Sequence, residues 1–128
     1  MTKLPANILV VDDSSLARRL TRQALEEMGH KVEEAADGAE ALERYAINRH
    51  DLVLLDLVMQ GMYGVEVLEK LRQVDPDARV VVATADIQKS TRDIVRSAGA
   101  FGLVNKPLSK DVLTSAVGRA LEGEKLWI

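Results

Sequence analysis

Five polar residues that suit phosphate or metal chemistry follow short apolar runs in this sequence: Asp12, Asp13, Asp56, Thr84 and Lys106. Carboxylate oxygens are the ligands that a hard cation such as Mg²⁺ prefers. A lysine neutralises phosphoryl oxygens, and a threonine hydroxyl donates a hydrogen bond to one of them. If the fold brings these residues together, they are suited to phosphoryl transfer onto a carboxylate, which depends mainly on positioning and charge stabilisation.

Apolar runs that alternate with amphipathic segments predict the elements that carry these residues. The pattern predicts strands at residues 8–11, 31–35, 52–55, 80–83 and 101–104, and helices at residues 16–28, 39–47, 65–72, 89–98 and 110–121. In the last helix the apolar residues recur every three or four positions and form one face. Five strand–helix units of this length predict an α/β fold with a parallel sheet and helices on both faces.

The composition of the strands predicts their order in the sheet. Strands one, three and four are continuous apolar runs, as central strands are. The second strand contains Lys31, Glu33 and Glu34, and the fifth contains Gly102, with Asn105 directly after it, so we expect both strands at the edges. This favours the order 2-1-3-4-5, in which ligands bind beyond the carboxyl ends of the strands, near the switch point between strands one and three. All five candidate residues follow strand ends.

Each candidate residue also has a purely structural interpretation. The two aspartates after the first strand can stabilise the start of a helix, with Ser14 or Ser15 as its cap. Asp56 can be a loop residue, Thr84 a turn cap and Lys106 a solvated charge. Their convergence at the ends of four strands favours the functional interpretation.

Composition excludes several classes of protein. The chain has 128 residues, 47% of them hydrophobic, and no apolar run approaches the roughly 20 residues of a membrane helix. It has no cysteine, which excludes disulfides and thiolate metal sites. The net charge of -3 argues against direct binding of nucleic acid. Without a signal-peptide pattern, a cytoplasmic location is expected.

Three further residues invite a structural interpretation. His30 and His50 are predicted to lie on the surface or in loops and not to bind metal, because no second histidine lies at ligand spacing. Trp127 is predicted to belong to a packed or disordered tail.

Four segments together resemble the receiver domains of two-component signalling, of the single-domain type found in chemotaxis regulators. They are VVDDS at residues 10–14, LLDLVM at 54–59, ATA at 83–85 and NKP at 105–107. The resemblance covers nearly the whole chain, and the segments are specific only in combination. It implies one receiver domain over residues 1–128 with the flavodoxin-like strand order. It also implies a phosphorylation-dependent switch that regulates a protein partner and is not an enzyme, beyond assisting its own phosphotransfer and dephosphorylation.

The resemblance also implies roles for individual residues. Asp56 would be the nucleophile that attacks the phosphohistidine of a histidine kinase or phosphotransfer protein. Lys106 would pair with the phosphoryl oxygens, and Thr84 would move to hydrogen-bond them. The small Ala85 would leave a path to Asp56, and the bond between Lys106 and Pro107 would be cis.

A magnesium site is implied as well. Asp13 would bind Mg²⁺ directly and Asp12 largely through water, with Asp56 and the carbonyl of Val58 as the remaining protein ligands.

The sequence departs from the family pattern at two places. Gln60 and the pair Tyr63–Gly64 replace a common proline and Asp-Gly pair, which predicts a looser loop. Leu103 occupies the position of an aromatic residue that changes rotamer in many members, and Phe101 is expected on the same face of the strand. The output surface implied by the resemblance comprises the fourth helix, the fifth strand and the fifth helix.

Two other functions remain open. One is a Mg²⁺-dependent phosphatase with an aspartyl nucleophile on the first strand. Such enzymes carry a second acid two residues later, where this chain has Ser14. The other is an interaction module that keeps the fold without being phosphorylated.

Overall fold

The computed structural model describes residues 5–57 and 63–127, in which strands and helices alternate. The strands are β1 (Asn7–Val11), β2 (Lys31–Ala35), β3 (Leu52–Asp56), β4 (Val80–Thr84), β5 (Gly102–Asn105) and β6 (Leu126–Trp127). The helices are α1 (Ser15–Glu27), α2 (Gly38–Asn48), α3 (Gly64–Val74), α4 (Lys89–Ser97) and α5 (Lys110–Leu121). The alternation confirms the predicted α/β class.

The strands form one parallel sheet in the order β2-β1-β3-β4-β5-β6. The predicted order of the first five strands is confirmed, and β2 lies at an edge as expected. The prediction that the fifth strand forms the other edge is wrong, because β6 pairs with β5 and extends the sheet.

Alternate residues of the central strands enter two separate hydrophobic cores, because successive side chains of a strand point to opposite faces. On one face the strands pack against α2, α3 and α4, with Leu9, Val82 and Leu103 among the buried residues. On the other face they pack against α1 and α5, with Val10 and Val81 among them. Burial on both faces explains why β1, β3 and β4 are continuous apolar runs.

Side-chain caps define where three of the helices begin. The hydroxyl oxygen of Ser14 accepts a hydrogen bond from the amide of Ala17 at the start of α1. Asp37 and Ser109 cap α2 and α5 in the same way. A cap of this kind stabilises a helix by about 1 kcal/mol. None of the helices within the described residues is long and apolar enough to cross a membrane.

The β6 strand was missed by the sequence analysis because two residues carry no measurable periodicity. Trp127 belongs to β6 and is not disordered; it lies opposite Leu103 of β5. The guanidinium carbon of Arg96 lies 4.4 Å from the centre of the Trp127 ring. Leu126 is buried in the core beneath α5.

Three other residues differ at least in part from what the sequence predicts. His30 and His50 lie in loops, which is one of the two predicted locations, but both are buried and not on the surface. Nδ1 of His30 accepts a hydrogen bond from the amide of Ala6, and burial lowers the pKa of this histidine. Nε2 of His50 lies 2.6 Å from a carboxylate oxygen of Glu33. Phe101 precedes β5 and packs against the core beneath α1 and α5, whereas Leu103 belongs to the opposite core.

Candidate functional site

Three aspartates meet beyond the carboxyl ends of β1 and β3. Asp12 and Asp13 follow β1, and Asp56 is the last residue of β3. One carboxylate oxygen from each of the three lies within 4.8 Å of the others, which makes them the one group of potential metal ligands among residues 5–57 and 63–127. Asp12 is buried, Asp56 is half-buried and Asp13 is exposed. The adjacent β1 and β3 therefore produce the convergence that the strand order predicts.

Lys106 supplies the positive charge of this cluster. Its Nζ lies 3.1 Å from Oδ2 of Asp12 and 3.3 Å from Oδ1 of Asp56. Burial lowers the pKa of Lys106, but the hydrogen bond with Asp12 and the charges of both carboxylates outweigh burial and hold that pKa above its usual value. The lysine is therefore charged at neutral pH. The bond between Lys106 and Pro107 is cis, as predicted.

Asp12 is oriented by several neighbours. Its Oδ1 accepts a hydrogen bond from the amide of Ser14, and its Oδ2 accepts one from Lys106. The guanidinium group of Arg18 donates to its backbone carbonyl. Ser14 also caps α1, which decides between Ser14 and Ser15, the two caps considered from the sequence. Hydrogen bonds to both of its oxygens thus fix the orientation of the Asp12 carboxylate within the cluster.

Thr84 lies at the end of β4, is only 3% exposed and pairs with Asn105 of β5. Its carbonyl accepts a hydrogen bond from the amide of Lys106, which ties the lysine to this strand. Its hydroxyl oxygen accepts a hydrogen bond from the amide of Asp86 at 3.1 Å. In this structure Thr84 therefore makes the turn-capping contact that its structural interpretation predicts.

Asp86 organises the loop between Thr84 and α4, and the sequence analysis did not single it out. One oxygen of its carboxylate accepts from the amide of Gln88 and the other from the hydroxyl of Thr91. These hydrogen bonds, led by that of Thr91, lower the pKa of Asp86. An aspartate that bonds the amide two residues later is a common turn signal, and this signal was available in the sequence.

Gly64 allows close packing beneath Asp56. A Cβ atom at this position would lie 2.7 Å from the carbonyl oxygen of Asp56 and 2.7 Å from Cα of Leu57. The amide of Gly64 donates to the carbonyl of Leu57, which joins the start of α3 to the end of β3. The predicted ligand Val58 and the loop position Gln60 lie outside the described residues.

An open cleft of about 580 Å³ leads to the cluster from the side of α1 and α5. Its polar end is lined by Asp12 and Lys106, and its walls include Leu20 of α1 and Leu113 of α5. Ala85 also lines the cleft, in agreement with the expectation that a small residue leaves a path to Asp56. A group that enters this cleft meets the carboxylates and the lysine together.

Residues 8–118 match the model of the response regulator receiver domain. The chain belongs to this family. Receivers are the signalling modules of two-component response regulators and act as switches, unlike enzymes that turn over a separate substrate.

Characterised receivers resemble this chain in both sequence and structure. The chemotaxis protein CheY of Halobacterium salinarum is 34% identical over 114 residues, which cover 89% of this chain and 95% of that protein. The response regulator MprA of a Mycobacterium species (strain KMS) is 40% identical over 118 residues and 92% of this chain. This chain spans about half of MprA, 51% of its length.

Solved receiver structures have the same fold. A CheY-like receiver domain protein of Methanospirillum hungatei superposes with a TM-score of 0.88 and 29% identity, covering 94% of this chain and 96% of that one. The Vibrio cholerae chemotaxis protein CheY4 superposes with a TM-score of 0.85 and 29% identity, covering 89% of this chain and 97% of that one.

Proposed function

We propose that this receiver accepts a phosphoryl group on Asp56 from a phosphohistidine and thereby changes its affinity for a protein partner. The observation that carries the proposal is the position of Lys106, whose Nζ lies 3.1 Å from Asp12 and 3.3 Å from Asp56 within the acidic cluster. The phosphodonor is a histidine kinase or a phosphotransfer protein. The partner surface is formed by α4, β5 and α5.

The residues of the site have distinct roles in the transfer. A carboxylate oxygen of Asp56 attacks the phosphorus, the bond from phosphorus to the histidine nitrogen breaks, and an acyl phosphate forms while the imidazole leaves with the electron pair. Lys106 neutralises the phosphoryl oxygens as they approach. The hydroxyl of Thr84, which now accepts from the amide of Asp86, turns to donate to a phosphoryl oxygen.

The acidic cluster fits a hard divalent cation. Asp13, the exposed member, would bind Mg²⁺ directly, whereas Asp12, whose Oδ1 already accepts a hydrogen bond from the amide of Ser14, would act largely through water. Asp56 would be the third carboxylate ligand, and the carbonyl of Val58, which lies outside the described residues, would complete the protein ligands. Mg²⁺ would neutralise charge on the phosphoryl group and orient its oxygens.

The competing phosphatase function has less support in the site. Ser14 occupies the position where such an enzyme would carry its second acid, and its hydroxyl oxygen accepts a hydrogen bond as the cap of α1. A pure interaction module would not need a lysine held between two carboxylates. The net charge of -3 favours a protein over a nucleic acid as the partner, and we propose a cytoplasmic location.

Treatment with acetyl phosphate and Mg²⁺, followed by intact-mass measurement and peptide mapping, tests the proposal. We expect a single phosphoryl adduct at Asp56, and none in Asp56→Asn, because an amide is a poor nucleophile. Asp111→Asn, which alters an exposed acid of α5, is the matched control and should be phosphorylated normally. An adduct on another residue, or one that persists in Asp56→Asn, would contradict the assignment. Multiple turnover of small phosphate esters would favour the phosphatase, and no adduct at all would favour the interaction module.

A further inference from the structure

Arg18 of α1 connects the end of β1 to the neighbouring strand β2. Its Nη1 donates to the backbone carbonyl of Asp12 at 2.7 Å, and its Nε donates to Oε1 of Glu34 in β2 at 2.8 Å. The side chain of Arg18 is 16% exposed and that of Glu34 is 25% exposed, so water has little access to this contact. A guanidinium group is a rigid planar fork, and a carboxylate that holds one of its nitrogens also fixes the direction of the other. Glu34 thus directs Arg18 at the carbonyl of Asp12.

Glu34 is held from a second side as well. Its Oε2 accepts a hydrogen bond at 2.9 Å from Nη1 of Arg22, which lies four residues after Arg18 on α1. The hydrogen bonds from Arg22 and Arg18 lower the pKa of Glu34 against the opposing effect of burial, so this carboxylate is charged at neutral pH. If Arg18 is replaced, Glu34 therefore keeps a cationic partner. Arg22 in turn offers a second cation of the same helix and the same network for comparison.

The carbonyl that Arg18 binds belongs to the peptide bond between Asp12 and Asp13. A peptide unit is planar, so a hydrogen bond to its carbonyl oxygen restrains the plane that also contains Cα of the next residue. On its other side, the amide of Asp12 donates to the carbonyl of Ala35 in β2 at 3.1 Å. Asp13 is exposed, so the direction of the backbone that leads to it is important for where its carboxylate lies.

We propose that Arg18 is a positioning residue of the acidic cluster: it orients the peptide between Asp12 and Asp13 and thereby holds Asp13 in the direction needed to bind Mg²⁺. The inference rests on the proposed function, because it takes Asp13 as a direct ligand of the cation. Groups that orient metal ligands commonly contribute about 10- to 100-fold to metal affinity. Arg18 acts through the backbone of Asp12 and not as a ligand.

Positioning and charge predict opposite effects of Arg18 on Mg²⁺ binding. Loss of its positive charge alone would strengthen the attraction between the acidic cluster and a divalent cation. Loss of its hydrogen bond to the carbonyl of Asp12 would weaken binding, because the backbone that leads to Asp13 would lose its restraint. A variant that removes this cation and binds Mg²⁺ more weakly is therefore explained by positioning and not by charge.

The test measures the dissociation constant for Mg²⁺ by NMR, from the amide shifts of the isotope-labelled, unphosphorylated full chain during a titration with the ion. In Arg18→Gln we expect the dissociation constant to rise about tenfold. Arg18→Lys should show a similar rise, because an ammonium group keeps the charge but lacks the fork that joins Glu34 to the carbonyl of Asp12. Arg22→Gln is the matched control, since it also removes a cation that binds Glu34, and its affinity for Mg²⁺ should equal that of the unmodified chain.

A second readout separates positioning of the metal ligand from general damage to the site. At low Mg²⁺ concentration, Arg18→Gln should form the acetyl phosphate adduct at Asp56 more slowly than the unmodified chain. At saturating Mg²⁺ the two rates should approach each other, because the cation then binds in spite of the lost restraint. A rate that stays equally low at every Mg²⁺ concentration would overturn the proposal.

Thermal melts without Mg²⁺ identify the folded variants. If Arg18→Gln does not fold, Glu34→Gln takes its place, because it keeps Arg18 but weakens the carboxylate that directs it, and its dissociation constant for Mg²⁺ should also rise. A folded Arg18→Gln chain that binds Mg²⁺ as tightly as the unmodified chain would overturn the proposal, and so would full affinity in Arg18→Lys or equal weakening in Arg22→Gln. An adduct at Asp56 of the unmodified chain in the same samples would show that the proposed function stands when the role of Arg18 fails.

Discussion

The carboxylate of Asp12 accepts hydrogen bonds from the amide of Ser14 and from the charged side chain of Lys106. Lys106 offsets part of the repulsion among the three carboxylates because it contacts two of them. Asp13 is the exposed member of the cluster. Two like charges about 4 Å apart repel by roughly 4 kcal/mol at an effective dielectric near 20, so the cluster without metal opposes stability.

Asp13→Asn should raise the melting temperature without Mg²⁺ and remove most of the increase that Mg²⁺ produces. A cation that binds only the folded state at a hundred times its dissociation constant adds about 2.7 kcal/mol of stability, and loss of a direct ligand removes most of that. Thermal melts across a series of Mg²⁺ concentrations measure both effects, with Asp111→Asn as the control. If Asp13→Asn is less stable without metal and keeps the full increase, Asp13 has a structural role.

The buried hydroxyl of Tyr45 donates to Asp75 at 2.7 Å, and this pair predicts a pH dependence of stability. Burial, and then the bond to Asp75, raises the pKa of Tyr45, while the bond from Tyr45 is the main cause of the lowered pKa of Asp75. The contribution of Asp75 to the free energy of unfolding is present above its unfolded pKa of about 3.9 and is lost as pH falls through its folded pKa. The contribution of Tyr45 to the free energy of unfolding is present below its unfolded pKa of about 10 and is lost as pH rises through its folded pKa.

Tyr45→Phe should therefore lower the free energy of unfolding by about 1–2 kcal/mol at neutral pH. The deficit should shrink below about pH 4, where Asp75 is protonated in the unfolded chain. Urea denaturation of Tyr45→Phe and of the unmodified chain from pH 7 to pH 3 measures this deficit in the free energy of unfolding. Tyr63→Phe is the matched control, since the side chain of Tyr63 is 69% exposed. A deficit that stays constant down to pH 3 would show that the Asp75 contact is energetically unimportant.

The convergence of the candidate site residues was predictable because each of them lies at or just after the carboxyl end of a strand, and a parallel sheet brings its strand ends together. Gly64 was identified only as a family departure; its close approach to the Asp56 backbone is a tertiary contact that has no local signal. The burial of His50 also depends on distant packing, because its partner Glu33 belongs to β2.

Element boundaries followed from periodicity where the elements were long. Helix α5 begins and ends at the predicted residues, Lys110 and Leu121, because its apolar face is regular. Strand β5 begins one residue later than predicted, at Gly102. Phe101 consequently lies outside the strand, where Arg79 lies over its ring at 4.7 Å, and strand alternation does not apply to it.

Leu103 connects β4, β5 and β6, which leads to a prediction for the output surface. It pairs with Val82 on one side and Trp127 on the other. An aliphatic side chain can follow a shift of Thr84 with only packing energy at stake. Leu103→Ala should cost about 2–5 kcal/mol of stability and should weaken, without abolishing, partner binding that depends on phosphorylation.

Amide hydrogen exchange over α4, β5 and α5, with and without acetyl phosphate, measures the response of this surface to phosphorylation. In Leu103→Ala the difference should be reduced but present. Leu25→Ala of α1 is a matched control in the opposite core and outside this surface, and in it the response should be unchanged. A folded Leu103→Ala chain that is phosphorylated on Asp56 and shows no difference would identify Leu103 itself as the switch.

At the scale of the whole molecule, β5 lies between the proposed phosphorylation site and β6. Lys106 directly follows β5, and its amide is bonded to the carbonyl of Thr84 on β4. Three residues earlier, Leu103 lies opposite Trp127. A phosphoryl group on Asp56 would attract Lys106 away from Asp12 and engage Thr84, and both movements would act on the strand that pairs with β6. We therefore expect phosphorylation of Asp56 to be coupled to the pairing of β6 with β5.

This coupling predicts that phosphorylation of Asp56 changes the environment of Trp127. Acetyl phosphate with Mg²⁺ should alter the acrylamide quenching of Trp127 in the unmodified chain and leave it unchanged in Asp56→Asn. Mg²⁺ alone is the second control, because it separates binding of the cation from phosphorylation. Intact-mass measurement on the same samples shows how much chain is modified, so the optical change can be compared with the extent of phosphorylation. An adduct on Asp56 without any change in quenching would refute the coupling while leaving the acceptor role of Asp56 intact, because β5 would then hold β6 equally well in both states.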